Sequence, residues 1–278
     1  MKVVIVSGKG GTGKTTISAV IHTIEGGVIA DCDVDAPNLH ILLRPEIIRK
    51  EDFVASEKAF IIPEKCDKCG LCQEVCRFEA ISDYRVDEIR CEGCAFCYNV
   101  CPQKAIEMRK VKSGEIYVSK TRWGYICHAI LNPGEENSGK LVTEVRRRAD
   151  EIAETEGVDV IIDGAPGIGC PVIASLTNTD AALVITEPTL SGFGDLERIV
   201  ELCRHFKVKP FVIINRFDLN EEISSKIEKW CMSNEVPLIG RIPFSEEVIR
   251  QISELQFPFK GEIAEKIREC WEKFKEKQ

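Results

Sequence analysis

The chain lacks a long apolar run. None of its hydrophobic stretches approaches the roughly 20 residues that a membrane helix needs, so no span is expected. The first residues enter a strand pattern directly, without the order of a secretory signal, so no leader and a cytoplasmic protein are expected. Positive charge is not in excess, since 37 Lys and Arg stand against 45 Asp and Glu for a formal net charge of −8. General nucleic-acid binding requires a basic face and is excluded on that ground. The end of the chain has no basic amphipathic tail either. From Glu262 to Lys277 five acids (Glu262, Glu265, Glu269, Glu272, Glu276) meet five bases (Lys266, Arg268, Lys273, Lys275, Lys277). Such a neutral face is poorly suited to anionic lipid, so this helix, with Ile263, Ile267, Trp271 and Phe274 on one side, is expected to pack on the body of the protein.

Cysteine is present in excess, at 14 of 278 residues. In a reducing compartment such a number points to metal ligands rather than disulfides. Eight of the 14 fall in two runs, Cys66-x-x-Cys69-x-x-Cys72-x-x-x-Cys76 and Cys91-x-x-Cys94-x-x-Cys97-x-x-x-Cys101-Pro102, and every position of the first recurs 25 residues later. Ala80-Ile81 and Ala105-Ile106 recur at the same offset and read as the start of a short helix after each run. The spacing is that of bacterial two-cluster ferredoxins, in which the fourth cysteine of each run serves the other run's cluster. One [4Fe–4S] cluster is thus assigned to Cys66, Cys69, Cys72 and Cys101, and the other to Cys91, Cys94, Cys97 and Cys76. Zinc also takes paired C-x-x-C elements, but the x2-x2-x3 run occurring twice, with Pro102 after the last cysteine, favours iron–sulfur. Arg77 stands where the first run would carry proline, a departure that removes no ligand. The insert is too small and polar to fold on a core of its own, so the clusters are expected to hold it together.

The second strong pattern follows the first apolar run. Lys2 to Val6 reads as a buried strand, Thr15 to Ile24 as a helix, and between them lies Gly8-Lys9-Gly10-Gly11-Thr12-Gly13-Lys14-Thr15, with Thr16 after it. This satisfies G-x-x-x-x-G-K-[ST], a loop whose backbone N–H groups cradle phosphate at a helix N-terminus. A second short strand, Gly27 to Ala30, ends in three alternating acids, Asp31, Asp33 and Asp35. An acid there can bind Mg²⁺ through water or orient an attacking water, or it can simply cap a polar turn. Another buried strand ends in Asp163-Gly164-Ala165-Pro166-Gly167, where Asp163 suits a Mg²⁺ site and the Gly167 N–H a γ-phosphate contact. Asn215 ends a later strand; its amide can read an adenine edge, or it can serve as a turn residue. Further strands are expected over Phe53–Ile62 (interrupted at Glu57-Lys58), 116–118, 181–186 and 237–243, a helix over Leu141–Thr155, and a polar loop over Asn132–Lys140. The expected fold is α/β, a doubly wound, mainly parallel sheet with an inserted two-cluster ferredoxin-like α+β subdomain. The segments are 1–57 and 118–278 for the P-loop domain and 58–117 for the insert.

Lys9 together with Lys14 resembles the deviant Walker A loop of the MinD/ParA/Mrp and nitrogenase iron-protein group. With the cysteine insert, the chain is similar nearly end to end to MinD-superfamily P-loop ATPases that contain a ferredoxin domain. The stretches Asp31–Leu39, Gly134–Lys140, Asp163–Ser175 and Thr186–Gly192 also fit. The resemblance implies an ATP-dependent homodimer in which Lys9 reaches the partner's ATP while Lys14 serves its own. Catalytic roles fall to Lys9, Lys14 and Asp33, the water-positioning acid, with Asp35 a weaker match. Thr15, Asp33 and Asp163 would hold Mg²⁺, and Asn215 would contact adenine. Cys170 matches one cysteine of the intersubunit cluster of the nitrogenase iron protein. The other position falls near Glu136, where no cysteine stands, with Cys127 the nearest substitute; the plain alternative for Cys170 is a small buried residue.

The leading expectation is an ATPase that couples its nucleotide switch to electron transfer, acting with an unidentified redox or iron–sulfur partner protein. The alternative is an iron–sulfur scaffold or carrier resembling the Mrp group, against which buried ferredoxin-type clusters count. A membrane-bound positioning ATPase of the MinD kind would need the basic tail that is missing.

Overall fold

The computed structural model describes residues 1–135, 138–257 and 261–278. Its elements run β1 (Lys2–Ser7), α1 (Lys14–Glu25), β2 (Val28–Asp31), α2 (Leu39–Leu43), β3 (Glu46–Ile61), α3 (Leu71–Glu74), β4 (Ile81–Ser82), β5 (Arg85–Val86), α4 (Phe96–Val100), β6 (Ile106–Lys120) and β7 (Tyr125–Leu131). There follow α5 (Ser138–Glu156), β8 (Val160–Pro166), α6 (Cys170–Leu176), β9 (Ala181–Thr186), α7 (Leu190–His205), β10 (Lys209–Asn215), a 3-10 turn (Phe217–Leu219), α8 (Glu221–Ser233), β11 (Leu238–Ile242), α9 (Glu246–Ser253) and α10 (Glu262–Lys277). The chain divides into two compact units. One comprises 1–50, 116–129 and the described part of 138–278, and the other 51–115 with the described part of 130–137. The second unit is therefore wider than the cysteine-rich stretch 58–117.

The larger unit is built on the strand order β11-β10-β9-β1-β8-β2-β7. The pairings from β11 across to β7 are all parallel. Strands buried on both faces explain the unbroken apolar runs that mark β1, β8, β9 and β10. Along β1, Val3 and Ile5 join Ile161, Leu183, Phe211 and Ile213 in the core beneath α1 and α10. The alternate residues Val4 and Val6 are equally buried and face α6 and α7 by the two-residue period of a strand. Helix α10 seats Ile267, Trp271 and Phe274 against α1 and β11, and the Trp271 Nε1 donates to Glu25 Oε1 at 2.7 Å. Among the described residues no helix is long and apolar enough to cross a membrane. Parallel order brings the carboxyl ends of β1, β2, β8 and β10 to one edge, where open α/β sheets bind ligands.

The smaller unit keeps the 25-residue repeat in its backbone. Left-handed conformations recur as the pairs Lys68 and Gly93, Gly70 and Ala95, and Glu79 and Lys104, and the short helices α3 and α4 begin at the same offset, at Leu71 and Phe96. Ala80-Ile81 and Ala105-Ile106 do not start helices, contrary to the expectation from sequence: they lead into β4 and β6. The reason is local. Glu79 and Lys104 turn the chain through positive φ (50° and 48°), and Ala80 N and Ala105 N then donate to Cys76 Sγ and Cys101 Sγ at 3.4 and 3.3 Å. The helices lie inside the cysteine runs instead. The core here is slight: Ala59, Ile61, Ala80, Ile81 and Ile106 pack with Cys91 and Cys97, flanked by four more of the run cysteines. Strand β3 is continuous through Glu57-Lys58, because Lys58 is paired to Glu135 rather than left to break the strand. Helix α5 begins three residues before the expected Leu141.

Candidate functional site

Helix α1 follows Gly13 (φ 88°) at its N-cap, with no side-chain cap and no acid in its first turn. By contrast α7, α8 and α9 are capped by Thr189, Asn220 and Ser245. The free N–H groups of α1 thus open onto a cavity of about 450 Å³ whose lining includes Gly10 to Thr16, Asp33 and Arg216. Gly13 has a second constraint, since a Cβ there would lie 2.4 Å from Asn215 Nδ2. Gly8 is not on the cavity wall. A Cβ on it would meet Asp195 Cβ at 2.4 Å, so its place is close packing of the loop on α7. Gly167 (φ 92°) is off the wall too, and its N–H donates to Ser7 O at 3.0 Å, tying β8 to β1.

At the base of the cavity Lys14 Nζ lies 2.7 Å from Asp163 Oδ1, with the two side chains 6% and 0% exposed. Ser18 Oγ donates to the same oxygen at 2.8 Å. Asp163 Oδ2 and Thr12 Oγ1 are buried and have no hydrogen-bond partner. Ser18 went unnoticed in the sequence; its signal was the four-residue step from Lys14, which sets both on one face of α1.

The three acids after β2 separate. Asp31 is buried and accepts from Asp33 N and Leu39 N, both at 3.2 Å, so it anchors the turn into α2. Burial, reinforced by Asp163, pushes its carboxyl up to about 7 against the opposing Lys14 charge. Asp33 is half-buried on the cavity wall and is raised by burial, with Lys14 opposing. Asp35 is exposed and off the wall, so its match to a ligand position gains no geometry.

Lys9 pairs with α7 and the strand end before it. Its Nζ lies 2.6 Å from Glu187 Oε1 and donates to Ser191 Oγ at 3.2 Å and Thr189 Oγ1 at 3.3 Å. The other oxygen of Glu187 takes Arg216 Nη1 at 3.4 Å. Neither Glu187 nor Arg216 stood out in the sequence, because a strand-end acid and a basic loop residue have no spacing signature. Asn215 lines a second cavity of about 60 Å³ with Arg216, Pro243 and Phe244. Its Nδ2 donates to Thr12 O at 2.7 Å and its Oδ1 accepts from Arg216 N at 3.1 Å. One amide proton and one lone pair remain for a ligand.

In the smaller unit Cys66, Cys69, Cys72 and Cys101 line one small cavity, and Cys76, Cys91, Cys94 and Cys97 another. Burial raises the Cys72 thiol, with Cys66 and Cys101 adding to it. Burial likewise pushes Cys97 up to about 11, with Cys91, Cys94 and Cys76 adding. Among the described residues no group of three or more His, Cys, Asp or Glu is arranged to hold a metal ion as it stands. Cys170 is exposed at the start of α6, which overturns the buried alternative. Cys127 is fully buried, its thiol pushed up to about 12 by burial, and cannot substitute as a surface ligand. Glu136, the position of the missing partner cysteine, lies outside the described residues.

A parallel α/β sheet with a phosphate loop after its first strand defines a P-loop nucleotide-binding protein. Residues 3–259 match the CobQ/CobB/MinD/ParA nucleotide-binding domain, and the chain belongs to that family. An uncharacterised protein of Methanocaldococcus jannaschii is 35% identical over 99% of this chain and 97% of its own length. Another from the same organism, described as an uncharacterised ATP-binding protein, is 22% identical over 98% and 97%. Among solved structures, the cell division ATPase MinD of Pyrococcus furiosus superposes with a TM-score of 0.58 at 17% identity, covering 100% of this chain and 99% of that one. MinD of Pyrococcus horikoshii, complexed with Mg-ADP, gives 0.57 at 17% identity, covering 98% and 95%. At such identity these two share the fold.

Proposed function

We propose that the chain is an ATP-hydrolysing, dimer-forming switch that governs electron transfer through two [4Fe–4S] clusters. The observation that carries this reading is the exchange of fourth cysteines: Cys101 lines the cavity of the first run and Cys76 that of the second. That is the ligand pattern of a two-cluster ferredoxin, and the recurrence of left-handed residues at a 25-residue offset supports it. The thiols fit the group. A cubane cluster takes one thiolate per iron and spreads four sulfurs more widely than one ion does, in keeping with sets that converge but stay open. Bound clusters would supply one-electron storage. In domain terms the cluster-binding segment is 58–117, between the two parts of the nucleotide domain, 1–57 and 118–278.

The nucleotide side fits as well. Asp163 Oδ2, buried without a partner, is a hard oxygen suited to Mg²⁺, and the partnerless Thr12 hydroxyl suits a phosphate oxygen. Thr15 and Asp33 would complete the Mg²⁺ environment, Asp33 through water. Lys14 would exchange Asp163 for phosphate, and Asp33 would orient the attacking water. Lys9 leaves Glu187 to reach the nucleotide of a second copy, which makes Glu187 the resting place of the lysine in the single chain.

The test is anaerobic purification followed by iron and sulfide analysis, sedimentation and redox titration. Eight irons and eight sulfides per chain are expected, four of each per cluster. ATP with Mg²⁺ should dimerise the chain and Lys9→Ala should not dimerise, while cluster potentials should differ between the ADP and ATP-analogue forms. Potentials that are equal in the apo, ADP and ATP-analogue forms would remove the coupling.

A further inference from the structure

Strand β3 runs hard against the loop that carries Cys91 and Cys94. Gly93 sits at φ 64°, and a Cβ on it would lie 2.1 Å from Glu57 O, so only glycine lets the loop come this close. The next residue of the strand is Lys58, whose Nζ donates to the Cys91 carbonyl at 2.7 Å. Its side chain is 7% exposed, and its counter-ion Glu135, 3.0 Å away, is 9% exposed. Ser56 Oγ holds the other Glu135 oxygen at 2.6 Å. Apolar residues of similar volume would fill this place at no cost in desolvation, so packing alone does not account for an ion pair here.

The two cysteine sets also differ in burial. Cys69 and Cys94 are exposed at equivalent positions of the repeat, but Cys91 and Cys97 of the second set are buried, whereas no cysteine of the first set is. Each cavity has one exposed carboxylate on its lining, Asp67 in the first and Glu92 in the second, so the lining acids do not distinguish them. Burial and negative charge both disfavour the added electron of a reduced cluster, and a nearby cation favours it. The second set thus has more burial to overcome and a buried ammonium with which to do so.

We infer that Lys58 is a positioning residue that sets the reduction potential of the cluster held by Cys76, Cys91, Cys94 and Cys97, raising it through the charge it holds at the Cys91 carbonyl, with Glu135 limiting the effect. This rests on the two-cluster reading above. Removing either half of the pair has opposite consequences: the loss of Lys58 lowers the potential, and the loss of Glu135 raises it. A purely structural role would move both variants the same way.

The experiment is a redox titration of the full-length chain, read by electron paramagnetic resonance, with Cys94→Ser marking which signal belongs to the second set. Lys58→Met is expected to shift that cluster's reduction equilibrium at least tenfold toward the oxidised form, about 59 mV for one electron. Glu135→Gln should shift it the other way, Lys58→Arg should restore it, and the first cluster should stay in place. Shifts of one sign in both variants, equal shifts of both clusters, or no shift would overturn the inference. Where Lys58→Met lowers iron content, Glu135→Gln decides alone: a rise confined to one cluster upholds the inference, and a fall or no change overturns it. A parent chain without its eight irons overturns the two-cluster reading instead, and this inference with it.

Discussion

The Lys14–Asp163 pair offers the sharpest energetic test of the nucleotide site. Exposed ion pairs contribute about 0–1 kcal/mol, whereas removing one partner of a buried pair costs about 3–5 kcal/mol, because the remaining charge is stranded. At 6% and 0% exposure and a separation of 2.7 Å this pair belongs to the second class. Asp163→Ala leaves the ammonium with the Thr15 hydroxyl at 3.4 Å. It also relieves Asp31, whose carboxyl Asp163 helps to hold protonated, so Asp31 can ionise and take over part of the compensation. The loss should therefore fall near the lower end, about 3 kcal/mol in the nucleotide-free chain. The isosteric double variant Lys14→Met with Asp163→Leu should recover most of it, since a filled apolar site carries no stranded charge. The assay is urea unfolding followed by tryptophan fluorescence. Trp123, Trp230 and Trp271 all lie in the nucleotide unit, so the signal reads that unit without the cysteine unit. A loss below about 1 kcal/mol for Asp163→Ala, or a double variant as unstable as the two singles summed, would refute the reasoning.

Two further outcomes follow from local geometry. Gly13→Ala forces a side chain into φ 88° and against Asn215 Nδ2, which should cost about 1–2 kcal/mol in backbone strain alone and abolish ATP binding in a calorimetric titration; near-normal binding would show that the Asn215 brace is not needed. Burial holds His22 down to about 4, against a partly opposing bond to Gly26 O. The folded state therefore resists the imidazolium, and the unfolded chain takes the proton first. That contribution is full above pH 6.5 and is lost as pH falls toward 4, about 3 kcal/mol in all. His22→Gln should flatten the acid limb of Tm against pH, and an unchanged slope would contradict it.

Features with local causes could be read from the chain alone. The phosphate loop needs glycines and a lysine at set spacing because backbone N–H groups must converge on one anion, and a strand–loop–helix context follows from hydrophobic pattern. The cysteine runs are likewise local, and their 25-residue offset survives in the backbone as paired left-handed residues. What failed was the extension of local pattern past a turn. Ala80-Ile81 and Ala105-Ile106 looked like helix starts, yet N–H bonds to cysteine sulfur and the left-handed residues before them send each into a strand.

By itself, then, the sequence determined the class of fold, the phosphate loop and the 25-residue repeat of the cysteine runs, since each depends on local pattern along the chain. Only the tertiary structure decided how the acids after β2 divide, with Asp31 an anchor, Asp33 on the cavity wall and Asp35 outside it. It likewise decided that Lys9 rests on Glu187 and that a buried Lys58 pairs with Glu135 beside Cys91. Each of these joins residues far apart in the chain. Burial and charge pairing are properties of the assembled interior, and no spacing along the sequence encodes them.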